Sequence, residues 1–309
     1  MRNARPAVVL AGCIICAVAG CSAVRPTFST WASLGERPWK SSPVAMESLP
    51  PLGAFPWAGT VSHHLLADAL LNRWFAELAQ RRSVEVFFIL SPSHWGLSTL
   101  TYSLTDGSWR VPAGRVESDV AKVTGIARTL GVALESSVFE GEHGVSTLMP
   151  YIARYFPRAK VVAMAYRGEP PLDQPMASRL AQALAPAFDA EGKRRNFLLI
   201  SADFAHHGNA AGTTMKDGRT RRFFDSPSLD TWIFAGCDNR PGMYALAHLL
   251  GSTTRCSVQF HSDSLQLSGH EPNDITSYFF TMFWDPVSYK KEPSRGQRAS
   301  ACTRSLTLS

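Results

Sequence analysis

The chain has 309 residues, of which 45% are hydrophobic and 18% are charged, and its formal net charge is +6. This is an ordinary globular composition, and the length suits one large domain or two small ones. Because the positive charge is modest and no basic stripe alternates with aromatic residues, the composition gives no indication of nucleic-acid binding.

The N-terminus has the pattern of a signal peptide. Arg2 and Arg5 precede an apolar run at residues 7–20, which is too short to span a bilayer but suits the core of a signal peptide. Cys21 then ends a Val-Ala-Gly-Cys sequence that resembles a bacterial lipobox, whose cysteine is acylated and becomes the mature N-terminus. A second match ends at Cys13 but leaves almost no apolar core before it, so we favour lipidation of Cys21.

This pattern predicts a protein of the bacterial cell envelope. The residue after Cys21 is Ser22 and not Asp, so nothing indicates retention at the inner membrane. We therefore expect a lipid anchor in the outer membrane or at the cell surface, with the membrane as the partner of the anchor. The alternative is an ordinary secretory signal that carries a cysteine by chance.

The six cysteines do not indicate a disulfide framework. Cys13 and Cys16 lie inside the apolar signal core, so their C-x-x-C spacing predicts neither a metal site nor a redox pair. Once the signal is removed and the lipobox cysteine is lipidated, three thiols remain in an oxidising compartment. A Cys256–Cys302 bridge stays open as one pairing, and Cys237 would then be the odd thiol.

The first elements follow the signal peptide. Residues 22–59 are rich in Ser, Pro and Trp without a sustained period, which predicts a tether and a segment laid over the domain. Residues 63–82 carry apolar side chains at helical spacing, which predicts an amphipathic helix. The apolar run 84–90 predicts a buried strand, and a Ser-Pro-Ser-His sequence follows it at once.

Strands then alternate with helices along the rest of the chain. This alternation over residues 56–286 predicts a single α/β domain. We expect a signal peptide at 1–21, the tether at 22–59, the domain at 60–286 and a basic, disordered tail at 287–309. The other predicted elements are strands at 99–104, 160–165, 196–202, 257–267 and 276–284, helices at 119–130, 146–155, 176–188, 229–235 and 241–250, a turn region at 109–114 and an exposed polar loop at 217–225.

The run at residues 196–208 (NFLLISADFAHHG) joins a predicted strand to a set of acid and imidazole groups. Its first half is short and apolar, as expected of a strand buried on both faces. Its second half holds Asp203, His206 and His207, which would lie at the carboxyl edge of a sheet, where open α/β folds bind ligands. The alternative is that Asp203 caps the next segment while the histidines lie on a solvated loop.

Five polar clusters stand where predicted elements end. Imidazole, carboxylate and thiolate groups are ligands for a first-row transition metal such as iron, copper or zinc. Because the groups are scattered along the chain, they do not match a compact zinc finger or ribbon. Their chemistry indicates either a metal site or an acid–base site. The clusters are His63-His64, His94, Glu142-His143, Asp203 to His207, and Cys237-Asp238.

Seven short motifs, each weak alone, occur in a specific order over about residues 60–285. They are Ser62-His63-His64, Ser91-Pro-Ser-His94, Trp109-Arg-Val-Pro-Ala-Gly114, Glu142-His143 with Leu148-Met-Pro-Tyr151, Ser201-Ala-Asp-Phe-Ala-His206 with Gly208, Cys237 with Pro241, and Thr276-Ser277-Tyr278. In this order they resemble the motifs of the Memo-like family, which is also called AmmeMemoRadiSam system protein B.

The resemblance implies an extradiol-dioxygenase-like fold, with a central mixed sheet, flanking helices and a metal pocket at one edge. Carried over by position, it implies that His63, His94 and Cys237 are ligands of iron or copper, with His64 as an alternative ligand. In the extradiol enzymes two histidines and a glutamate hold the metal. A cysteine in the place of the carboxylate is a softer ligand, which favours copper(I) or alters an iron centre.

The same resemblance implies that His143, Asp203 and His206 line the pocket, as acid–base groups or as hydrogen-bond partners of the ligands. The chain departs from the family pattern at other positions, since Thr147 stands where the family has a glutamate and Trp95 stands where a second histidine is common. These departures predict a pocket that is reshaped around the same metal ligands.

Three functions remain open. The first is a metal-dependent oxidoreductase, in which His143 or His206 moves protons and Asp203 orients His206. The second is a metal carrier or buffer at the envelope, and the third is a scaffold whose pocket binds a peptide or a protein partner. Because the resemblance implies no intact triad of two histidines and a carboxylate, the metal carrier gains support relative to the oxidoreductase. A hydrolase is disfavoured because the sequence contains no G-x-S-x-G motif.

Overall fold

The computed structural model describes residues 25–30, 44–112, 114–167, 174–269 and 271–286. Its strands are β1 (Thr27–Ser29), β2 (Phe55–Val61), β3 (Val86–Pro92), β4 (Tyr102–Leu104), β5 (Ser108–Val111), β6 (Gly114–Glu117), β7 (Lys160–Tyr166), β8 (Asn196–Ser201), β9 (Arg255–Asp263) and β10 (Ser277–Asp285). Its helices are α1 (Asp68–Arg81), α2 (Val120–Leu130), α3 (His143–Ser146), α4 (Met149–Tyr155), α5 (Gln174–Leu184), α6 (Gly192–Arg195), α7 (Ala210–Asp225), α8 (Arg240–Leu249) and α9 (Ser264–Ser268).

Seven strands form one mixed sheet in the order β4-β7-β3-β8-β2-β10-β9. The strands β7, β3, β8 and β2 are mutually parallel, whereas β4 at one edge and β10 with β9 at the other pair antiparallel. A smaller sheet joins β1, β5 and β6. Because the four central strands are parallel, the residues that follow them meet at the same edge of the sheet.

Both faces of the large sheet are buried. Along β3, Phe88 and Leu90 face a core that also contains side chains of α2, α5, α7 and α8. The alternate residues Phe87 and Ile89 face a second core, which α1, α4 and the small sheet cover. A strand buried on both faces is apolar throughout, as the sequence of β3 is. The predicted single α/β domain, with a central mixed sheet flanked by helices, is confirmed and is consistent with an extradiol-dioxygenase-like arrangement.

Helix α1 is held to the sheet by an apolar stripe. The stripe follows the 3.6-residue period and consists of Leu70, Leu71, Trp74, Phe75 and Leu78, all fully buried. Burial of each such side chain stabilises the fold by about 1.5–3 kcal/mol relative to exposure. A 3₁₀ turn at Leu65–Ala67 precedes the helix, so α1 begins later than the predicted residue 63.

Strand β2 is the first difference from the sequence prediction, because residues 55–59 fell in the predicted tether. The strand pairs with β8 and β10 and lies inside the sheet. In its sequence Phe-Pro-Trp-Ala-Gly-Thr-Val, the strand formers are interrupted by Pro, Ala and Gly, so no pattern marked it. Gly59 is required there, since a Cβ atom would lie 2.4 Å from the carbonyl oxygen of Thr281 and 2.7 Å from the ring of Trp74.

Helix α7 is the second difference, because residues 217–225 were predicted as an exposed loop. The prediction was wrong because several residues on the buried side of α7 are polar, among them Thr213, Asp217 and Thr220. Asp217 accepts hydrogen bonds from Ser277 Oγ (2.6 Å) and His261 Nε2 (2.9 Å). A helix whose buried face is hydrogen-bonded rather than apolar gives a weak periodic signal.

Three smaller differences concern the bounds of other elements. The predicted turn region at 109–114 forms most of the β5–β6 hairpin. The predicted helix at 229–235 is only a 3₁₀ turn at Trp232–Phe234. The predicted strand at 257–267 ends at Asp263, where Asp263 caps α9.

The predicted signal peptide, the lipidation at Cys21 and the basic tail lie outside the described residues. Within the part of the chain that the structure describes, no helix is long and apolar enough to cross a membrane.

Candidate metal centre

The candidate site lies where three neighbouring strands of the large sheet end. His63 stands two residues after β2, His94 two residues after β3 and Asp203 two residues after β8. These strands are parallel neighbours, so the three side chains reach the same edge. The three residues, which belong to three of the predicted polar clusters, therefore lie at one edge of the sheet.

Three imidazole rings pack against one another at the site. The ring centroids of His63 and His94 are 4.8 Å apart, and His143 lies 5.1 Å from the first and 4.1 Å from the second. His63 is buried, whereas the other two rings are partly exposed. Nitrogen atoms of the three rings lie within 4.8 Å of one another, close enough to share one metal ion.

Two carboxylates complete the cluster. One oxygen of Asp238, Oδ2, lies 3.3 Å from Nε2 of His63, 3.8 Å from Nε2 of His206 and 3.9 Å from Nε2 of His94. Asp203 Oδ2 lies 3.7 Å from Nε2 of His63. His63, Asp203 and Asp238 form a second group whose ligand atoms lie within 4.8 Å of one another. The Nε2 atoms of three histidines thus converge on one carboxylate.

A hydrogen-bond chain fixes the ring of His63. Ser201 Oγ donates to the carbonyl oxygen of Gly144 (2.6 Å) and lies 3.0 Å from His63 Nδ1. Because the hydroxyl hydrogen of Ser201 is used in this way, the hydroxyl accepts a hydrogen bond from Nδ1–H of His63. The Nε2 atom, which faces the carboxylates, is then the atom that can bind a metal or a proton.

Glu142 fixes His94 in the same manner. Its Oε1 lies 2.7 Å from Nδ1 of His94, and its Oε2 accepts from the backbone N–H of His94 (2.7 Å). The carboxylate is fully buried and also accepts from the backbone N–H of Gly144 at the start of α3. A carboxylate on the far nitrogen of a histidine is the usual support of a metal-binding imidazole.

The carboxylates of Asp203 and Asp238 are also held in place. Ser62 Oγ donates to Asp203 Oδ1 (2.5 Å), and the backbone N–H of Asp203 donates to Asp238 Oδ1 (3.1 Å). The backbone N–H of Asp238 in turn donates to the carbonyl oxygen of Asp203 (3.0 Å). These bonds leave Oδ2 of both residues directed at His63.

The cluster holds positive charge strongly. Burial lowers the pKa of His63, but the charges of Asp203 and Asp238 outweigh this effect and raise the pKa above its ordinary value. Burial likewise lowers the pKa of His94, and hydrogen bonds with Asp238 and Glu142 more than reverse this and raise the pKa to about 9. A site that binds protons at these nitrogens when no metal is present would release them to a metal cation.

The pKa values of two neighbouring groups, Asp238 and His143, are lowered. Burial raises the pKa of Asp238, but the charge of His63 and the hydrogen bonds with His63 and His94 hold it well below its ordinary value. Burial and the adjacent charges of His94 and His63 lower the pKa of His143 to about 4. His143 is therefore the neutral imidazole of the cluster at pH 7.

Cys237, the third ligand implied by the resemblance, belongs to neither group of ligand atoms within 4.8 Å. Its side chain is buried and packs in the core on the face of α5 and α8. The adjacent Asp238 extends to the histidines instead. Among the described residues, the distances favour Asp238 in this position, and ligation by Cys237 stays a prediction.

The alternative ligand His64 is also outside both groups. Its Nδ1 lies 2.5 Å from the hydroxyl oxygen of Tyr278. Of the predicted acid–base residues, His143 and Asp203 lie within the groups, and His206 stands at the border through its 3.8 Å contact with Asp238.

Three residues of the site, namely Glu142, Ser201 and Asp238, had no individual role in the sequence prediction. Glu142 and Asp238 belonged to the predicted polar clusters, and Ser201 was part of a motif. The sequence could not tell which of two adjacent side chains faces the histidines.

Trp95 forms an exposed wall beside the imidazoles. Its ring lies 5.7 Å from that of His143 and is 77% exposed. Its backbone is left-handed, with φ 60° and ψ 13°. A bulky residue rarely adopts this conformation, which stores strain and is concentrated at functional sites.

Comparison with known proteins identifies the family of the chain. The model of the Memo family, described as "Memo-like protein", matches residues 65–229. The matched segment contains His94, His143, Asp203 and His206, whereas His63 and Asp238 lie just outside it.

Several relatives are MEMO1 family proteins. One from Pyrobaculum aerophilum is 28% identical over 173 residues, which cover 55% of this chain and 60% of the relative. Others from Caldivirga maquilingensis and Methanopyrus kandleri are 26% and 27% identical, and the alignments cover 54% and 51% of this chain and 55% and 52% of those proteins. The chain thus matches little more than half the length of these relatives.

Proposed function

Because this chain belongs to the Memo-like protein family, we propose that it binds one transition-metal ion at the cluster of His63, His94 and Asp238 and acts as a non-haem, metal-dependent oxidoreductase. The observation that carries the proposal is the convergence of imidazole Nε2 atoms on one mostly buried carboxylate, that of Asp238. A carboxylate surrounded by imidazole nitrogens attracts a cation, which can be a proton or a metal ion.

The donor set favours iron over copper(I). Two imidazoles with one carboxylate are the ligands typical of non-haem iron oxygenases, whereas copper(I) prefers thiolate and thioether ligands. The sequence motifs indicated no carboxylate ligand, and in this proposal Asp238 is that ligand. This ligand set favours an oxidoreductase over a metal carrier.

The chain's own residues have distinct tasks in this proposal. A bound iron would supply the activation of oxygen and of a substrate. Ser201 and Glu142 hold the rings of His63 and His94 by Nδ1, which leaves Nε2 as the atom that would bind the metal. His143, within the cluster, and His206, at its border, are partly exposed imidazoles, which suit them for proton transfer.

The roles of Asp203 and His206 are modified accordingly. The Asp203 carboxylate contacts Ser62 and His63, so we assign Asp203 to the placement of His63. His206 contacts Asp238 at the border of the cluster.

The proposal is tested by the metal content of the whole protein after anaerobic purification. The variants Asp238→Asn and Cys237→Ser separate the two ligand sets, and Asp230→Asn, an exposed carboxylate eight residues earlier, is the control. We expect about one ion per chain in the parent protein and in Cys237→Ser, and loss of the ion in Asp238→Asn.

Three outcomes would contradict the proposal. Loss of metal in Cys237→Ser with full retention in Asp238→Asn would assign the thiolate set and copper or a modified iron centre. A parent protein that binds no iron or copper would favour the scaffold that binds a peptide or partner. Bound metal without oxygen consumption in the presence of catechol-like compounds would favour the carrier.

We further propose that the protein acts at the bacterial cell envelope, anchored through lipidated Cys21. The signal pattern of residues 1–21 supports this proposal, and the experiment that tests it is given in the Discussion.

A further inference from the structure

A pocket is lined by His206, whose Nε2 lies 3.8 Å from Oδ2 of Asp238 in the imidazole cluster. Its volume is about 290 Å³, which suits a small organic molecule. His206 and Cys237 line one wall, and residues of α7, of α8 and of the segment around the 3₁₀ turn at Trp232–Phe234 form the rest. The pocket is therefore a neighbour of the proposed metal centre and has a wall in common with it.

The pocket is strongly cationic. Lys216 and Arg219 of α7 and Arg240 of α8 line it, and none of the described residues that line it carries a carboxylate. Nε of Arg240 is buried and has no hydrogen-bond partner among the described residues. A buried guanidinium donor without an acceptor is costly, so an acceptor supplied by a ligand would stabilise it.

Two acidic residues that stand next in sequence to lining residues are engaged elsewhere. Asp238 directs its carboxylate at His63, His94 and His206, within the imidazole cluster. Asp217 of α7 accepts hydrogen bonds from His261 and Ser277. The positive charge of the pocket therefore has no carboxylate partner of its own among these residues.

The pocket also has an apolar side. Phe204, Ile233 and Phe234 line it, and Ile233 is 45% exposed. A lining that combines cations with aromatic and aliphatic carbon suits a molecule with an anionic group and an apolar body. An inorganic anion would leave this apolar surface uncovered.

We propose that this pocket binds the substrate of the neighbouring centre, and that the substrate is a small organic anion with a carboxylate or phosphate group and an apolar body. Arg219 and Arg240 bind the anionic group, and His206, at the common wall, lies between the bound molecule and the cluster. The assignment as substrate rests on the proposed function, because it takes the imidazole cluster as the reactive centre. Anion binding itself does not depend on the metal.

The test measures binding by calorimetry to the whole protein, from which metal has been removed with a chelator. The probes are benzoate and phenyl phosphate, and benzyl alcohol serves as an uncharged analogue of similar size. We expect at least one anion to bind about tenfold or more tightly than the alcohol, because charge-assisted hydrogen bonds to arginine are lost with the alcohol.

Two variants and a control locate the binding. Arg219→Gln and Arg240→Gln should each weaken anion binding by about tenfold, whereas Arg128→Gln, an exposed arginine in the last turn of α2, should change it less than about twofold. Arg219 is exposed, so its variant is expected to fold even if the change at the partly buried Arg240 disturbs α8.

The outcomes of this experiment and of the metal assay are distinguishable. Equal binding of anions and alcohol, or equal effects of the Arg128 and Arg219 variants, would overturn the anion pocket even if iron binds. Anion binding that depends on Arg219 and Arg240, in a protein that the separate metal assay finds to hold no ion as purified, would support the anion site but refute the metal centre and the assignment as its substrate.

Discussion

At the residue scale, the candidate metal centre depends on which of two adjacent side chains faces the histidines. Cys237 and Asp238 follow one another, and Oδ2 of Asp238 lies within 4 Å of Nε2 of His63, His94 and His206. The exchange of a thiolate for a carboxylate changes the favoured metal from copper(I) to iron. The choice between Cys237 and Asp238 as ligand therefore decides the chemistry proposed for the site.

Glu142 offers a test of ring placement at this scale. The change Glu142→Gln removes the charge that accepts from Nδ1 of His94, so we expect iron affinity to fall roughly 10- to 100-fold. Metal titration of the purified protein measures the affinity. Glu140→Gln, an exposed neighbour two residues away, is the matched control.

Because Glu142 is fully buried, its variant also needs a stability measurement. We expect the free energy of unfolding of Glu142→Gln to fall by about 1–3 kcal/mol, since one buried hydrogen-bonding group is mismatched. Unchanged iron affinity in a folded Glu142→Gln protein would show that His94 is not positioned by this carboxylate.

At the scale of elements, α7 is the helix that hydrophobic patterning misses. Its buried face uses Asp217 as an anchor, because that carboxylate accepts from His261 of β9 and Ser277 of β10. Polar anchoring of this kind fixes a helix in one register, because each donor has only one acceptor position. The cationic pocket depends on this register, since Lys216 and Arg219 flank Asp217 on the same helix.

Replacement of Asp217 by Asn is therefore predicted to destabilise the fold. We expect the free energy of unfolding to fall by about 1–3 kcal/mol, because the carboxylate is buried and its two donors lose an ionised acceptor. Chemical denaturation measures the loss. The control is Asp274→Asn, which removes a similar but exposed His–Asp contact with His207 and should cost less than about 1 kcal/mol.

Helix α2 provides a pH-dependent prediction. Asp119 is its N-cap and accepts from the backbone N–H and the ammonium group of Lys122. Partial burial raises the pKa of Asp119, but the hydrogen bonds from Lys122 outweigh it and lower the pKa below its ordinary value. Its ionised form therefore stabilises the folded state.

The change Asp119→Ala should cost about 1 kcal/mol at pH 7. Since the folded-state pKa is the lower one, this contribution is fully present above the unfolded-state value of about 3.9 and declines as pH falls through the folded-state pKa. Denaturation of both proteins at pH 7 and at lower pH tests this. A difference that grows on acidification would contradict the assignment, and Asp119→Asn should retain much of the cap.

At the scale of the whole molecule, the order of the strands assembles the site. His63, His94 and Asp203 are far apart in the sequence, yet each follows one of the parallel neighbours β2, β3 and β8. The two cores on either face of the sheet fix these strands, so that small errors in strand register would separate the ligands.

The location of the whole molecule is tested by the change Cys21→Ser. We expect the parent protein to be found in the membrane fraction of bacterial cells and the variant to leave it, because a serine cannot carry the thioether-linked lipid. Cys13→Ser, at the second and weaker lipobox match, is the control and should remain with the membrane. Retention of Cys21→Ser in the membrane fraction would contradict a lipid anchor at this residue.

The sequence by itself determined most of the α/β framework. The strands near 84–90, 160–165 and 196–202 are continuous apolar runs, and a strand buried on both faces allows no other composition. The helices at α1, α2, α5 and α8 carry an apolar stripe that packs on the sheet. The order of short motifs likewise indicated the Memo-like family, which the comparisons confirm.

Only the tertiary structure decided what these local patterns leave open. Strand β2 has Pro, Ala and Gly among its strand formers and owes its place to pairing with β8 and β10, while α7 owes its place to hydrogen bonds from distant strands. The choice of Asp238, the support from Glu142 and Ser201, and the cationic pocket beside His206 depend on the directions of side chains that are distant in sequence. Periodicity reports which face of an element is buried, whereas a site depends on which atoms of different elements meet, and that is fixed only when the elements pack.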